Sequence, residues 1–149
     1  MNSIFGSSGK FVNFGLLVLR IGLGVMFIIH GLPKLQGGPV VWEGVGLAMK
    51  NIGVDIYPTM WGLFAALAEV AGGGMLLAGL LFKPATIILI FTMIVAAKHH
   101  LVLGEGVSGA SHAIELGIVL LSLLITGPGK FSIDNSIFPS GGGDDDGDD

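Results

Sequence analysis

The 149-residue chain contains no cysteine, a single tyrosine and few charges, with Asp, Glu, Lys and Arg making up only 12% of it. Without thiols it can form no disulfide, thiolate metal site, iron–sulfur cluster or cysteine nucleophile. So little charge against 52% hydrophobic residues, at a mean hydropathy of +0.83, would leave a water-soluble globule with too much apolar surface. The composition points to lipid as the solvent. The net charge of −4 conceals an uneven distribution, because five of the eleven acids are Asp144, Asp145, Asp146, Asp148 and Asp149. Without them seven bases face six acids, a net of +1. Such a body has no basic face to follow a phosphate backbone, which excludes nucleic acid as an expected partner. No haem-attachment motif or multi-histidine helix is present either.

What the chain has is long apolar runs. Four segments approach the roughly 20 residues needed to cross hydrocarbon: about 11–32, 60–82, 85–103 and 110–126. The first carries Arg20 and lacks a small-residue cleavage pattern, so it reads as a retained helix rather than a signal peptide. Gly31 and Pro33 predict that it stops at Pro33. Lys83-Pro84 and 104–109 are turn signals, so the expected fold is an all-α four-helix membrane bundle, up-down-up-down, with both termini on one side. Lys10, Lys83 and Lys130 on the terminal side outnumber Lys34 and Lys50 opposite, which favours cytoplasmic termini. The long connection 36–59 has Val41, Val45, Ala48, Met49 and Ile52 at helical spacing, with Trp42 placed for an aromatic belt. Gly44 and Gly46 weaken a helix there, so an interfacial helix and an irregular cap both remain open. Residues 1–10 read as a flexible lead. The Gly- and Asp-rich 139–149 read as a disordered acidic tail, without the terminal Glu or flanking helices of an EF-hand calcium loop.

Polar residues inside the spans are the functional candidates, because each is costly in hydrocarbon. Arg20 and Glu69 come out at similar distances from the ends of their helices, near the midplane, which predicts an Arg20–Glu69 ion pair. The same reckoning sets Lys98 level with Glu115 as a second pair. His30, His99, His100 and His112 all fall on the long-connection side. His112 and Glu115, three apart, share a helix face, a spacing also found in carboxylate-bridged metal sites, although such a site needs two such motifs and two further Glu. Three readings of this cluster stand side by side. In one it is a structural network. In another it is a proton-exchanging site for a quinone resting against Phe27 and Trp42. In the third it is a metal site, although no metal ligand set can be assigned.

Four ordered blocks resemble the DoxX family of small bacterial membrane proteins. They are Leu19-Arg20-Ile21-Gly22-Leu23-Gly24, Phe27-Ile28-Ile29-His30-Gly31-Leu32-Pro33-Lys34-Leu35, Ala68-Glu69-Val70-Ala71-Gly72-Gly73 and Thr126-Gly127-Pro128-Gly129-Lys130-Phe131-Ser132-Ile133-Asp134. Hydrophobicity alone does not require the last of these. The resemblance covers about 16–137 and implies a four-helix bundle in a bacterial inner membrane. It further implies association with redox systems, since the family name comes from a membrane subunit of a thiosulfate:quinone oxidoreductase. Arg20, His30, Gly31, Lys34 and Glu69 match the family pattern. His99-His100 and the acidic tail do not map to it, and the absence of Cys argues against a thiol relay by this chain.

The expected protein is thus a multi-pass inner-membrane subunit or accessory factor of a quinone-linked redox or oxidative-stress complex, with lipid, a redox protein and further copies of itself as its possible partners. No catalytic residue is assigned. Arg20, Glu69, Lys98 and Glu115 are the ion-pair candidates, and His30, Lys34, His99, His100 and His112 the ligand or proton-transfer candidates. A non-catalytic anchor or assembly module is the first alternative, and a small-molecule or proton transporter the second.

Overall fold

A computed structural model describes residues 9–138, and all of its regular structure is helical. The expected disordered tail lies outside the described residues, as does all of the flexible lead except Gly9 and Lys10, which are helical. Four helices are long and apolar enough to cross a membrane: α1 (Gly9–Gln36), α3 (Pro58–Ala78), α4 (Phe82–Val102) and α5 (Gly106–Thr126). Between the first two lie α2 (Gly38–Gly46) and a 3-10 turn, Leu47–Ile52. A short α6 (Ile133–Ile137) follows α5.

The first span does not stop at Pro33. Proline lies inside α1, which continues to Gln36. Membrane helices tolerate proline where neighbouring elements satisfy the freed backbone groups, and glycine there often serves packing rather than termination. Gly31 illustrates this, because a Cβ on it would lie 2.7 Å from the Glu69 Cβ and 3.0 Å from the Val70 nitrogen. One and a half to two turns earlier, Gly24 meets the Gly73 carbonyl and Leu77 in the same way. These contacts run α1 antiparallel to α3 along a seam of small residues.

The helix breaks at Gly37-Gly38, where Gly38 takes a left-handed φ of +73° and Pro39 opens α2. The sequence left a helix and an irregular cap open for this connection; it forms α2. A Cβ on Gly62 would collide with the Trp42 carbonyl, and one on Gly46 with the Pro58 carbonyl. α2 therefore extends the line of α1 along the first half of α3. The 3-10 turn then crosses to α4, burying Ala48 and Met49.

On the other side, α3 meets α4 through Gly72 and Leu89, and α4 meets α5 near Met93 and Gly117. A core of Phe27, Leu76, Phe82, Leu89, Met93, Ala113, Leu120 and Leu123 joins the four spans. Many large apolar side chains face outward, among them Ile118 at 60% and Ile125 at 79% exposure, as lipid-facing helices require.

Candidate functional site

Glu69 is the eleventh residue after Pro58 in the 21-residue α3, close to the helix midpoint, and it is buried. Its partner is Lys34, not Arg20. The Lys34 ammonium donates to both carboxylate oxygens, at 2.7 and 2.8 Å. The Glu69 side chain is 4% exposed and that of Lys34 35%. A carboxylate this far from water needs such a partner, and Lys34 can reach it because α1 runs on through Pro33 and packs Gly31 directly against Glu69. The Trp42 indole N–H donates to the Lys34 carbonyl at 3.0 Å, pinning α2 across the helix break. A discontinuous helix ending beside a buried charge is a recurring construction of membrane binding sites.

Arg20 lies eleven residues before Gly31, about 16 Å along the helix. It is buried against Gly79, at the turn from α3 to α4, and donates from Nη2 to the Phe131 carbonyl. The depth estimate took residue 11 as a membrane boundary, whereas the α3–α4 turn marks the edge of the bundle at the level of Arg20. Around it the closing Gly-Pro-Gly-Lys-Phe-Ser-Ile-Asp block forms a clamp. Asp134 accepts from the Leu81 and Phe82 amides at 2.9 and 2.8 Å, its own amide donates to Gly79, and Ser132 caps α6 by accepting from Asn135. Leu81 has a φ of +46°, an αL conformation uncommon for leucine that the Asp134 bond holds in place.

Lys98 and Glu115 form no salt bridge among the described residues, and both are exposed. The inward face of α4 carries Leu89 and Met93, and that of α5 Ala113 and Leu120, so matched depth put the two charges on outward faces. The histidines divide. His30 and His112 meet with ring centroids 5.7 Å apart, and His100 Nδ1 lies 2.6 Å from Glu105 at the α4–α5 turn. His99 instead turns to Asn51 of the 3-10 turn, 3.1 Å away. Among the described residues no three His, Asp or Glu side chains converge as metal ligands.

Two cavities meet at the ion pair. The first, about 270 Å³, lies between α3, α4 and the α2/3-10 cap, and Lys34 and Glu69 are its main polar lining. Its aromatic walls are Trp61, Phe64 and Phe91. Trp42 lines neither cavity, since its indole is committed to the α1 backbone, and Phe27 lines the second. Phe64, Ile88 and Phe91 are each about half exposed on the lipid-facing side, so this cavity opens laterally to hydrocarbon. The second, about 240 Å³, lies between α1 and α5 and adds His30, His100 and His112 to Lys34 and Glu69. Sequence reasoning named nearly every charged member of this site but not the Lys34–Glu69 pairing. It also missed Trp61, Phe64 and Phe91, which look like ordinary lipid-facing aromatics until the cap closes over them.

Among the described residues these features make an all-helical, membrane-spanning bundle with one buried cross-helix ion pair. The chain belongs to the DoxX family, whose profile matches residues 15–104, and so includes most of α1 and all of α3 and α4 with the ion pair but not α5 or the clamp. It is similar to the inner membrane protein YqjF of Escherichia coli strain K12, 33% identical over 128 residues covering 84% of this chain and 93% of that one. It also resembles the inner membrane protein YphA of the same organism, 28% identical over 127 residues, or 80% and 87% of the two chains. An uncharacterised protein of Haemophilus influenzae is 28% identical over 135 residues, or 87% and 95%. No solved structure matches.

Proposed function

We propose that the protein is an inner-membrane component of a redox complex that holds a quinone headgroup in the cavity under the α2/3-10 cap. The observation that carries the reading is the buried Lys34–Glu69 pair at the inner end of an aromatic-walled cavity open to lipid. A quinone is an apolar ring with two carbonyl acceptors and a hydrocarbon tail, and it arrives from the bilayer. The ring fits against Trp61, Phe64 and Phe91, the Lys34 ammonium donates to a carbonyl, and the tail leaves past Ile88 between α3 and α4. Such a pocket, mostly apolar with a few convergent polar groups, is the usual form of a small-molecule site. Reduction of the ring takes two electrons and two protons. A partner redox subunit supplies the electrons, and Glu69 with Lys34 is placed to handle protons. The inner-membrane location of the two Escherichia coli relatives agrees with this setting.

The test is purification from the native membrane in mild detergent, with mass spectrometry of extracted quinones and of copurifying proteins. The reading predicts near-stoichiometric quinone and a redox partner, with quinone lost in Glu69→Leu. Protein that is solitary and quinone-free overturns it. A partner retained without quinone, whatever stands at position 69, makes the chain an anchor or assembly module.

A further inference from the structure

We propose that the cavity between α1 and α5 is a water-filled inlet through which protons reach Glu69, so that the ion pair separates a lipid-filled cavity from a wet one. The proposal rests on the quinone reading for the destination of those protons, but not for the presence of water. The two cavities differ in chemistry. The first has only Lys34, Glu69, the Thr92 hydroxyl and the Trp61 indole N–H to offer a polar contact from side chains. The second has the same pair and three imidazoles, with His30 and His112 exposed. Its volume of about 240 Å³ is far above the roughly 10–15 Å³ that one water requires, and water enters cavities that supply it with several polar partners.

The architecture leaves this side open. α1 packs on α3 and α5 on α4, whereas Gly22 of α1, which lines the cavity, would meet nothing within 4 Å even if it carried a Cβ. The His100–Glu105 pair lies at the α4–α5 turn, where the bundle ends. From that end His100 and the His30–His112 contact form a polar lining that leads to the pair. Water and imidazoles together make a continuous hydrogen-bonding medium, which hydrocarbon cannot provide. Arranged this way, a ring arriving from lipid and a proton arriving from water meet at one ion pair without sharing an entrance.

The test uses the full chain in liposomes and exploits its lack of cysteine, because each introduced thiol is then unique. Leu116→Cys lines the inlet, Ala65→Cys lines the lipid-side cavity, and Ile118→Cys faces the bilayer. A charged methanethiosulfonate reagent needs a hydrated thiolate. It should modify Leu116→Cys at least ten-fold faster than either of the others. A rate at 116 no higher than at 118 overturns the inlet, and fast modification at 65 as well overturns the separation of the two cavities. A second readout concerns the pair itself. A water-soluble carbodiimide should activate Glu69 and let the Lys34 amine close an amide, the carbodiimide taking up the water lost; peptide mapping detects this as a mass loss of one water. Prior modification of Leu116→Cys with a bulky thiosulfonate should suppress that product at least ten-fold in protein that is already folded, and an unchanged yield overturns the route. Saturable quenching of Trp61 fluorescence by decylubiquinone in Trp42→Phe reports the quinone reading separately, so fast aqueous labelling at 116 without such quenching sinks the ligand and keeps the water.

Discussion

Lys34 and Glu69 are unequal partners, since the carboxylate is almost wholly buried while the amine keeps about a third of its side chain exposed. Loss of the lysine strands a charge in a low-dielectric interior. Loss of the glutamate leaves an ammonium on a flexible stem that can turn to water. Lys34→Met should therefore cost about 3 kcal/mol of stability, the low end of the range for breaking a buried pair, and Glu69→Leu roughly 1–2 kcal/mol. The double variant Lys34→Met/Glu69→Leu should recover to within about 1 kcal/mol of the parent, as apolar replacements of buried pairs often do. Reversible unfolding in bicelles measures the cycle; equal single costs that simply add would refute the pairing. The sequence exposed Glu69 as a charge in need of a partner but not which one. Rise per residue fixes depth only once the helix ends are known, and it says nothing of the face a side chain occupies, which is why Lys98 and Glu115 also failed to meet.

The broken first helix and the clamp at the opposite end of the bundle carry the architecture at the level of elements. Pro33 reads as a stop because proline ends most soluble helices; here the break comes five residues later, where Gly38 adopts a positive φ that other residues resist. Two of the long-range uses of glycine, against Glu69 in α1 and against Arg20 at Gly79, could not be read from frequency alone, because glycine is common in membrane helices. At Gly79 the φ is +67° and a Cβ would crowd both the end of the Arg20 guanidinium and the Ser132 Cβ, so Gly79→Ala should lower the melting temperature markedly. Asp134→Ala is milder. It removes two charge-assisted bonds to the start of α4, worth roughly 1.5–3 kcal/mol each when fully buried and less here, where the Leu81 bond is exposed. Differential scanning fluorimetry should rank wild type above Asp134→Ala and Asp134→Ala above Gly79→Ala; an unaffected Gly79→Ala would show that the clamp is not seated as described. The closing sequence block stood out because hydrophobicity did not call for it, and its role is to cap α4 and bury Arg20.

For the molecule as a whole, four spans and the segregation of His30, His99, His100 and His112 to one end follow from hydropathy and turn residues, which are local signals. The cavities do not, since they depend on α2 continuing along α3, on the 3-10 turn crossing to α4, and on α1 standing away from α5. Pairing of Lys34 with Glu69 also alters the orientation argument, because it neutralises one base on the long-connection side and leaves Lys50 and the exposed Lys98 there against Lys10, Lys83 and Lys130. Cytoplasmic termini are the orientation this balance favours. A green fluorescent protein fused to the C-terminus should fluoresce and an alkaline phosphatase at the same place should be inactive, with the reverse result for fusions after Gly104; the opposite pattern would invert the topology. The quinone headgroup proposed beside Trp61 and the ion pair can be tested directly. Only Trp42 and Trp61 are present, and Trp61 alone lines a cavity, so Trp42→Phe leaves one reporter at the site. Titration of this variant in nanodiscs with decylubiquinone should quench Trp61 fluorescence saturably, and Lys34→Met/Glu69→Leu should reduce the quenching to the shallow, unsaturated response of quinone dissolved in lipid. Identical quenching curves with and without the ion pair would show that no quinone headgroup is held there.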